Sequence, residues 1–474
     1  MSVRSAIPTA IFLKRRDLEK RVWLKMDLWI LPVVTMFYLL SFLDRTNLGN
    51  ARVAGLQKDL AMTNYQYSIA LTVTYIPYIV AELPSNLLLK AVGPNLMLPT
   101  MLTLWGVVTV LQGIVSSYRG LLIARFFLGL LEGGVLPGLV LYLSSFYPRR
   151  RLQWRISIFF SAASLSGAFS GLLAFGIINM DGIGSRPGWA WIFILEGLFT
   201  FVFGLLSFAL LPRSPGHSRF LTKEEKDYVA ATLRDDGVTS PDEKVDSFSW
   251  KEVVMAFTLP HVWLISVIFF MDGTVLYGLA YFAPSIVQGL GHTPARTQLM
   301  SVPPFAVAFV LTMIGALVSD RYQCRGLVSM FAFALCIVGF TTFLSTVNNH
   351  VQYMSLFFSI AGVYLSAPSL STWGANNAAP HIRRATAIAI GFIMTNSGGI
   401  LATWLLGSLS PAPRYVLATK VLLGFSVAMF ALTAVNILYL WDQNRRKKSL
   451  RENMIRSQED PGLGDKSAWF IYAL

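Results

Sequence analysis

Four charged side chains stand in stretches that are otherwise apolar: Asp44 and Arg45 in Phe42-Leu-Asp-Arg-Thr-Asn47, and Arg125 and Glu132 in Arg125-Phe-Phe-Leu-Gly129-Leu-Leu-Glu132-Gly133-Gly134. An ionised group near a bilayer centre costs about 2.5–3.5 kcal/mol, so charges kept there face protein or an aqueous cavity and mark the path of an ion or substrate. Carboxyls beside guanidiniums can link two binding events. Burial favours the neutral acid and a neighbouring arginine favours the carboxylate, so an anion that captures the arginine leaves the carboxylate to take up a proton. In this reading Asp44, Glu132 and Arg125 handle protons, and an arginine receives an anionic substrate. The alternative is a set of interhelical ion pairs that only hold a bundle together.

The rest of the chain must supply the helices that position these groups. Of 474 residues 54% are hydrophobic and 14% charged, with mean hydropathy +0.56, against roughly 25% charged in a soluble domain. This is the composition of a polytopic membrane protein. The net charge of +14 sits in short basic clusters between apolar runs, as in cytoplasmic loops, and no basic patch on a polar fold points to nucleic acid. Windows of about twenty mainly apolar residues fall near 28–49, 66–89, 95–116, 119–146, 154–179, 189–211, 260–289, 297–319, 325–346, 351–375, 385–408 and 419–441. The first run begins too late and continues too long for a cleavable signal.

About twelve spans put both termini on one side, and the positive-inside rule makes that side cytoplasmic. Arg149, Arg150, Arg151 and Arg155 follow span 4, Arg383 and Arg384 follow span 10, and Arg445, Arg446, Lys447 and Lys448 follow span 12, all level with the basic N-terminus. The expected organisation is a cytoplasmic segment 1–27, a six-helix bundle 28–211, a cytoplasmic linker 212–259, a second six-helix bundle 260–441 and a cytoplasmic tail 442–474. In the linker, the Thr222 to Glu225 spacing predicts a capped helix. The fold class that follows is an all-α membrane protein with the major facilitator fold, in which substrate binds near mid-membrane between the halves. A twelve-span channel or receptor is the competing architecture.

On adjacent positions Asp44 and Arg45 point about 100° apart and cannot neutralise each other. At ~1.5 Å per residue, Asp44 and Arg125 have similar depth and can pair across helices, with Glu132 two turns nearer the cytoplasm. Gly129, Gly133, Gly134 and Gly138, like Gly167 and Gly171, have the spacing that lets helices approach closely. Tyr75, between Pro77 and the outer end of span 2, can offer a hydroxyl to a substrate. Asn376, Asn377 and Asn396 should face other helices or a cavity, because amides in lipid are costly, and Trp373 beside them would give an aromatic wall. Gly315-Ala-Leu-Val-Ser-Asp320-Arg321 has the form of a cytoplasmic gate motif, whereas its counterpart Ser85-Asn86-Leu-Leu-Leu-Lys90-Ala-Val-Gly93-Pro94 lacks the aspartate. Cys324 and Cys336 suit packing rather than a disulfide. The loops hold no nucleophile–base set and no metal-ligand spacing, so neither an enzyme nor a cofactor is expected.

The Leu43-Asp44-Arg45-Thr-Asn47 and Arg125-to-Gly134 motifs, with the Trp373/Asn376/Asn377 and Asn396-Ser-Gly-Gly runs, together resemble the anion:cation symporter family of major facilitators. Met180-Asp181-Gly182-Ile-Gly184, Trp189-x-Trp191 through Glu196-Gly197, and Gly464-Asp465-Lys-Ser-x-x-Phe470-x-Tyr472 are similar to its fungal allantoate permease branch, which includes high-affinity nicotinic acid transporters. The resemblance implies proton-linked roles for Asp44 and Glu132, substrate roles for Arg45, Tyr75, Trp373 and Asn396, and a bridging role for Arg125; Asn376, beside Trp373, is a further substrate-contact candidate from the residues alone. It implies a monomer in the plasma membrane that carries a small organic anion, such as nicotinate, with protons. Export of a carboxylated secondary metabolite by the same fold stays open as the alternative.

Overall fold

A computed structural model of the chain describes residues 9–235, 250–379, 381–452 and 463–474; the Asp/Glu/Lys-rich part of the linker lies outside them. Among the described residues the regular structure is helical throughout. The N-terminal half contains α1 (Thr9–Val53), α2 (Asn64–Val92), α3 (Pro94–Gly113), α4 (Tyr118–Glu132), α5 (Val135–Phe146), α6 (Arg149–Ile177) and α7 (Gly188–Leu210). Two shorter helices, α8 (Lys223–Asp235) and α9 (Trp250–Thr258), lie in the connection. The C-terminal half contains α10 (Pro260–Gly289), α11 (Pro294–Tyr322), α12 (Arg325–Ser345), α13 (Asn349–Asn376), α14 (His381–Trp404) and α15 (Val416–Glu452).

Ten of these helices are long and apolar enough to cross a membrane alone. The other two crossings are α2, whose apolar run is interrupted by Tyr75, Pro77, Tyr78, Glu82 and Pro84, and the consecutive pair α4 and α5. The sequence predicts one helix over 119–146; the structure breaks it after Glu132. Gly133 and Gly134 each weaken a helix by about 1 kcal/mol relative to alanine, and Pro137 has no N–H to give the Gly133 carbonyl. The break places Glu132 at a helix end.

Close approach of backbones accounts for the glycines. A Cβ on Gly129 would overlap the Thr74 carbonyl and one on Gly133 the Tyr78 carbonyl, so α4 lies directly on α2. Without a hydrophobic drive in lipid, such contact is a main source of helix association.

The chain ends and the connection share one face of the bundle, called here the terminal side. Thr222 and Glu225 form the reciprocal cap of α8, with Thr222 N–H donating to Glu225 Oε2 at 2.9 Å and Glu225 N–H to Thr222 Oγ1 at 3.4 Å. Lys25 Nζ donates to Glu225 Oε1 at 2.7 Å, which docks α8 on the foot of α1. The segment 463–474 docks on the other half. Asp465, fully buried, pairs with Arg383 and its backbone N–H donates to Ala379 O. Asn444 and Asn377 each read backbone edges of this segment: Tyr472 N–H donates to Asn444 Oδ1 at 2.8 Å and Ala473 N–H to Asn377 Oδ1 at 2.7 Å, while the two amide nitrogens donate back to Tyr472 O and Ala473 O.

Removing one partner of a buried ion pair costs about 3–5 kcal/mol. Asp465→Ala is therefore expected to release the tail, seen as faster chymotryptic cleavage at Trp469, Phe470 and Tyr472 by mass spectrometry. Unchanged cleavage would mean that the amide contacts alone hold it.

Candidate functional site

A narrow cavity lies between the halves. Its N-terminal wall includes Tyr38, Ser41, Arg45, Tyr78 and Glu132, and its C-terminal wall Phe269, Asp272, Tyr277, Ser371 and Asn396. Ser371 is near the terminal-side end of α13, whereas Arg45, Tyr277 and Asn396 are deep in their helices, so the cavity runs from the terminal side to the middle of the bundle.

Beyond its inner end the halves are tied together. Gln298 Nε2 donates to Asn50 O at 3.1 Å, Ser68 Oγ to Thr403 O at 3.1 Å and Tyr75 OH to Tyr281 OH at 3.3 Å. A Cβ on Gly49 would overlap the Tyr281 carbonyl, and one on Gly171 would come 2.9 Å from Gln298 O. All these residues lie toward the face opposite the chain ends, so this conformation is closed there and open to the terminal side.

At the inner end, Arg45 Nη2 and Glu132 Oε1 form an ion pair at 2.8 Å. Ser41 Oγ also donates to this Glu132 oxygen. Arg45 Nη1 donates to Tyr277 OH at 3.2 Å, and Tyr277 OH to Asn396 Oδ1 at 3.3 Å. One hydrogen-bond chain thus runs from Glu132 in the N-terminal half to Asn396 in the C-terminal half. The Arg45 guanidinium lies 5.0–5.5 Å from the ring centres of Phe42, Tyr277 and Tyr78, where π-faces offset part of its lost hydration.

The depth count separates Arg45 and Glu132 by two turns, yet they touch. Side chains on a helix tilt toward its N-terminus. α1 starts on the terminal side and α4 on the opposite side, so the two side chains lean toward each other.

Asp44 and Arg125 face away from the cavity into the N-terminal half, and the expected direct pair between them is replaced by other contacts. Asp44 Oδ2 accepts from Trp105 Nε1 at 3.1 Å, while Asp44 Oδ1 and Arg125 Nε and Nη2 are buried without hydrogen-bond partners. The Arg125 guanidinium lies 6.0 Å from the Phe193 ring centre. Glu196 is also buried in this half, accepting from Asn47 Nδ2. Asp44, Glu132 and Glu196 with Arg45 and Arg125 make three acids and two bases. A low-dielectric interior disfavours net charge, and the group is neutral when it holds one proton.

Three proposed substrate contacts lie elsewhere. Trp373 Nε1 donates to Ala473 O at 2.8 Å, so this ring packs on the docked tail. Asn376, with its amide oxygen turned to Arg325, accepts from Arg325 Nη2 at 3.0 Å. Both are corrections to the expectation of a cavity wall: the last turns of α13 meet the docked tail at Trp373 and the start of α12 at Asn376. Tyr75 sits in the closed layer beyond the cavity, bonded to Tyr281. Of the gate motif, Arg321 is exposed over the Tyr322 ring at 5.9 Å, and the Asp320 side chain lies outside the described residues. Asp272 and Tyr277 are cavity residues not singled out from the sequence, although Asp272 carries the same signal as Glu132, one carboxyl in a long apolar run.

Two helical halves around a polar cavity that opens to one side define a membrane transporter, not an enzyme. The chain belongs to the Major Facilitator Superfamily, whose sequence profile matches residues 34–403. It is 35% identical to an uncharacterized transporter of Schizosaccharomyces pombe, over 95% of this chain and 89% of that one. It is 32% identical to the high-affinity nicotinic acid transporter of Saccharomyces cerevisiae, over 96% of this chain and 85% of that one. The crystal structure of a D-xylose-proton symporter has the same fold, with a TM-score of 0.67 at 15% identity over 86% of this chain and 97% of that one.

Arg45→Ala and Glu132→Ala should each destabilise the protein by about 3–5 kcal/mol, whereas Arg45→Met with Glu132→Leu should recover most of the loss, because apolar groups of similar volume replace a buried pair at little cost. Thermal unfolding of the purified variants measures this. Additive losses in the double variant would show that the two side chains are not energetically coupled.

Proposed function

We propose that the protein is a proton-coupled symporter of a small organic anion, of the anion:cation symporter family and its allantoate permease branch. The observation that carries this reading is the Arg45–Glu132 pair on the cavity wall. A carboxylate entering the cavity competes with Glu132 for Arg45. Once displaced, Glu132 is a buried carboxylate without its counter-ion and takes a proton. Anion and proton then load together, so the net charge of the three acids, two bases and bound anion is unchanged. Asp44, one layer behind, passes the proton between Glu132 and the opposite side, and the fixed charge of Arg125 beside it sets how readily that carboxyl holds the proton. Substrate capture falls to Arg45, with Tyr277 and Asn396 across the cavity.

The positive-inside clusters support cytoplasmic termini and so a cavity facing the cytoplasm in this conformation, and the protein works as an importer in the plasma membrane. The Asp320–Arg321 motif at the end of α11 serves as the gate on that side, and the transport unit is the monomer. Nicotinate, the substrate named for a relative, is the first anion to test.

Uptake of labelled nicotinate into cells expressing the protein should rise as external pH falls and collapse with a protonophore, and Arg45→Ala should abolish it. Uptake indifferent to pH and protonophore would exclude proton coupling. Glu132→Gln, permanently neutral, should keep exchange of internal for external substrate yet lose uphill accumulation. Full accumulation by this variant would remove Glu132 from the coupling step.

A further inference from the structure

The three acids buried in the N-terminal half share the one proton that makes their group neutral, and their surroundings differ. Glu132 has Arg45 at 2.8 Å, and Asp44 accepts from Trp105. Glu196 has an amide instead: Asn47 Nδ2 donates to its Oε2, while its Oε1 is buried without a hydrogen-bond partner. The charges acting on each acid follow the same order. Asp44 feels Arg125 and Arg45, and Glu132 feels both arginines and Asp44. Glu196 feels Arg125 against two acids, Asp44 and Glu132. α3, packed along α7, has no ionisable residue, and those of α6 stand at its terminal-side start. The resident proton falls to the acid with the fewest cations about it.

Glu196 also ends a buried polar track. Asp44 and Asn47 are three residues apart on α1, and Trp105, Thr109 and Gln112 recur at i, i+4 and i+7 on α3, so each set shares one helix face. Trp105 binds Asp44. Both helices run from the terminal side to the opposite side, so the two sets lead outward together from that bond. Glu196, nearer the opposite-side start of α7 than its other end, meets them at Asn47. Asp44 Oδ1, Asn47 Oδ1, Thr109 Oγ1, Gln112 Oε1 and Glu196 Oε1 are all buried without hydrogen-bond partners. Such a group costs about 1–3 kcal/mol, and apolar side chains would pack the same space without that cost. A proton on Glu196 Oε1 turns one acceptor of this row into a donor.

We infer that Glu196 is the proton store of the transporter: it holds the resident proton and yields it through Asp44 to Glu132 when a substrate anion takes Arg45. The O–H bond at Glu196 breaks as one forms at Asp44, and the proton then moves to Glu132. Glu196, left ionised, is recharged from the opposite side once the halves open there. One proton thus enters for each captured charge. The inference rests on the reading that anion capture at Arg45 strands Glu132.

Thermal unfolding of purified protein near neutral pH tests where the proton sits, because an amide harms least where it replaces an acid that is already neutral. Glu196→Gln should unfold at the wild-type temperature, whereas Asp44→Asn and Glu132→Gln, each taking a carboxylate from an arginine, should unfold earlier. Folded wild-type protein holds a proton on Glu196 that the unfolded chain releases, so its stability falls as pH rises. Its unfolding constant should climb about tenfold more per pH unit than that of Glu196→Gln, a slope that a merely structural glutamate would not give. In transport, Glu196→Gln should still exchange internal for external nicotinate but accumulate it about tenfold less or worse, and Glu196→Asp, which can carry the proton, should keep part of the accumulation. Early unfolding of Glu196→Gln beside wild-type-like Asp44→Asn, equal pH slopes, or full accumulation by Glu196→Gln would overturn the inference and leave coupling at Arg45 and Glu132 standing. Wild-type uptake indifferent to pH and protonophore would sink the coupled reading and this inference with it.

Discussion

Two opposite charges that lean toward each other from antiparallel helices set the terms for this protein. Arg45 and Glu132 are buried, and either alone would be a charge stranded in a low-dielectric interior. Their contact depends on the break at Gly133–Gly134, on the approach of α4 to the backbone of α2, and on a ring of aromatic faces around the guanidinium. The same contact is the lining of the cavity. A side chain that holds the bundle together is therefore also the group that an anion must win over.

The arginine is shared as well as paired. Through Tyr277 it reaches Asn396, so its position depends on both halves at once. Around this level the cavity ends and the closed layer begins, built from backbone carbonyls, small residues and hydroxyls such as Ser68 and Thr403. Contacts of this sort contribute modestly per bond, which suits an interface that has to open and close.

Much of the framework was legible from hydropathy, because a twenty-residue apolar run in a membrane has few structural options. The reciprocal cap at Thr222 and Glu225 was legible for a similar reason, being set by a local spacing. Partnership across helices was not. Depth counted along a helix axis ignores the tilt of side chains, so Asp44 and Arg125 looked like partners and Arg45 and Glu132 did not. Trp373 was misplaced because a tail far away in sequence covers the end of α13, and Asn376 because Arg325 of α12 reaches it there. Asp272 was visible as a lone acid, but only the packing of α10 against α13 gives it a neighbour.

The tail has a consequence for biosynthesis. Residues 463–474 are made after every membrane span, yet they supply one of the two acids paired with Arg383, Glu252 of α9 being the other, and the backbone edges for Asn377 and Asn444. Until that segment leaves the ribosome, the ends of α13 and α15 carry open amides, and Arg383 on α14 has Glu252 as its acid. The C-terminal half therefore stays unfinished through the whole of membrane insertion and is sealed by a late, soluble peptide. A chain ended before this segment would hold the membrane helices and still display an unfilled polar recess at their ends.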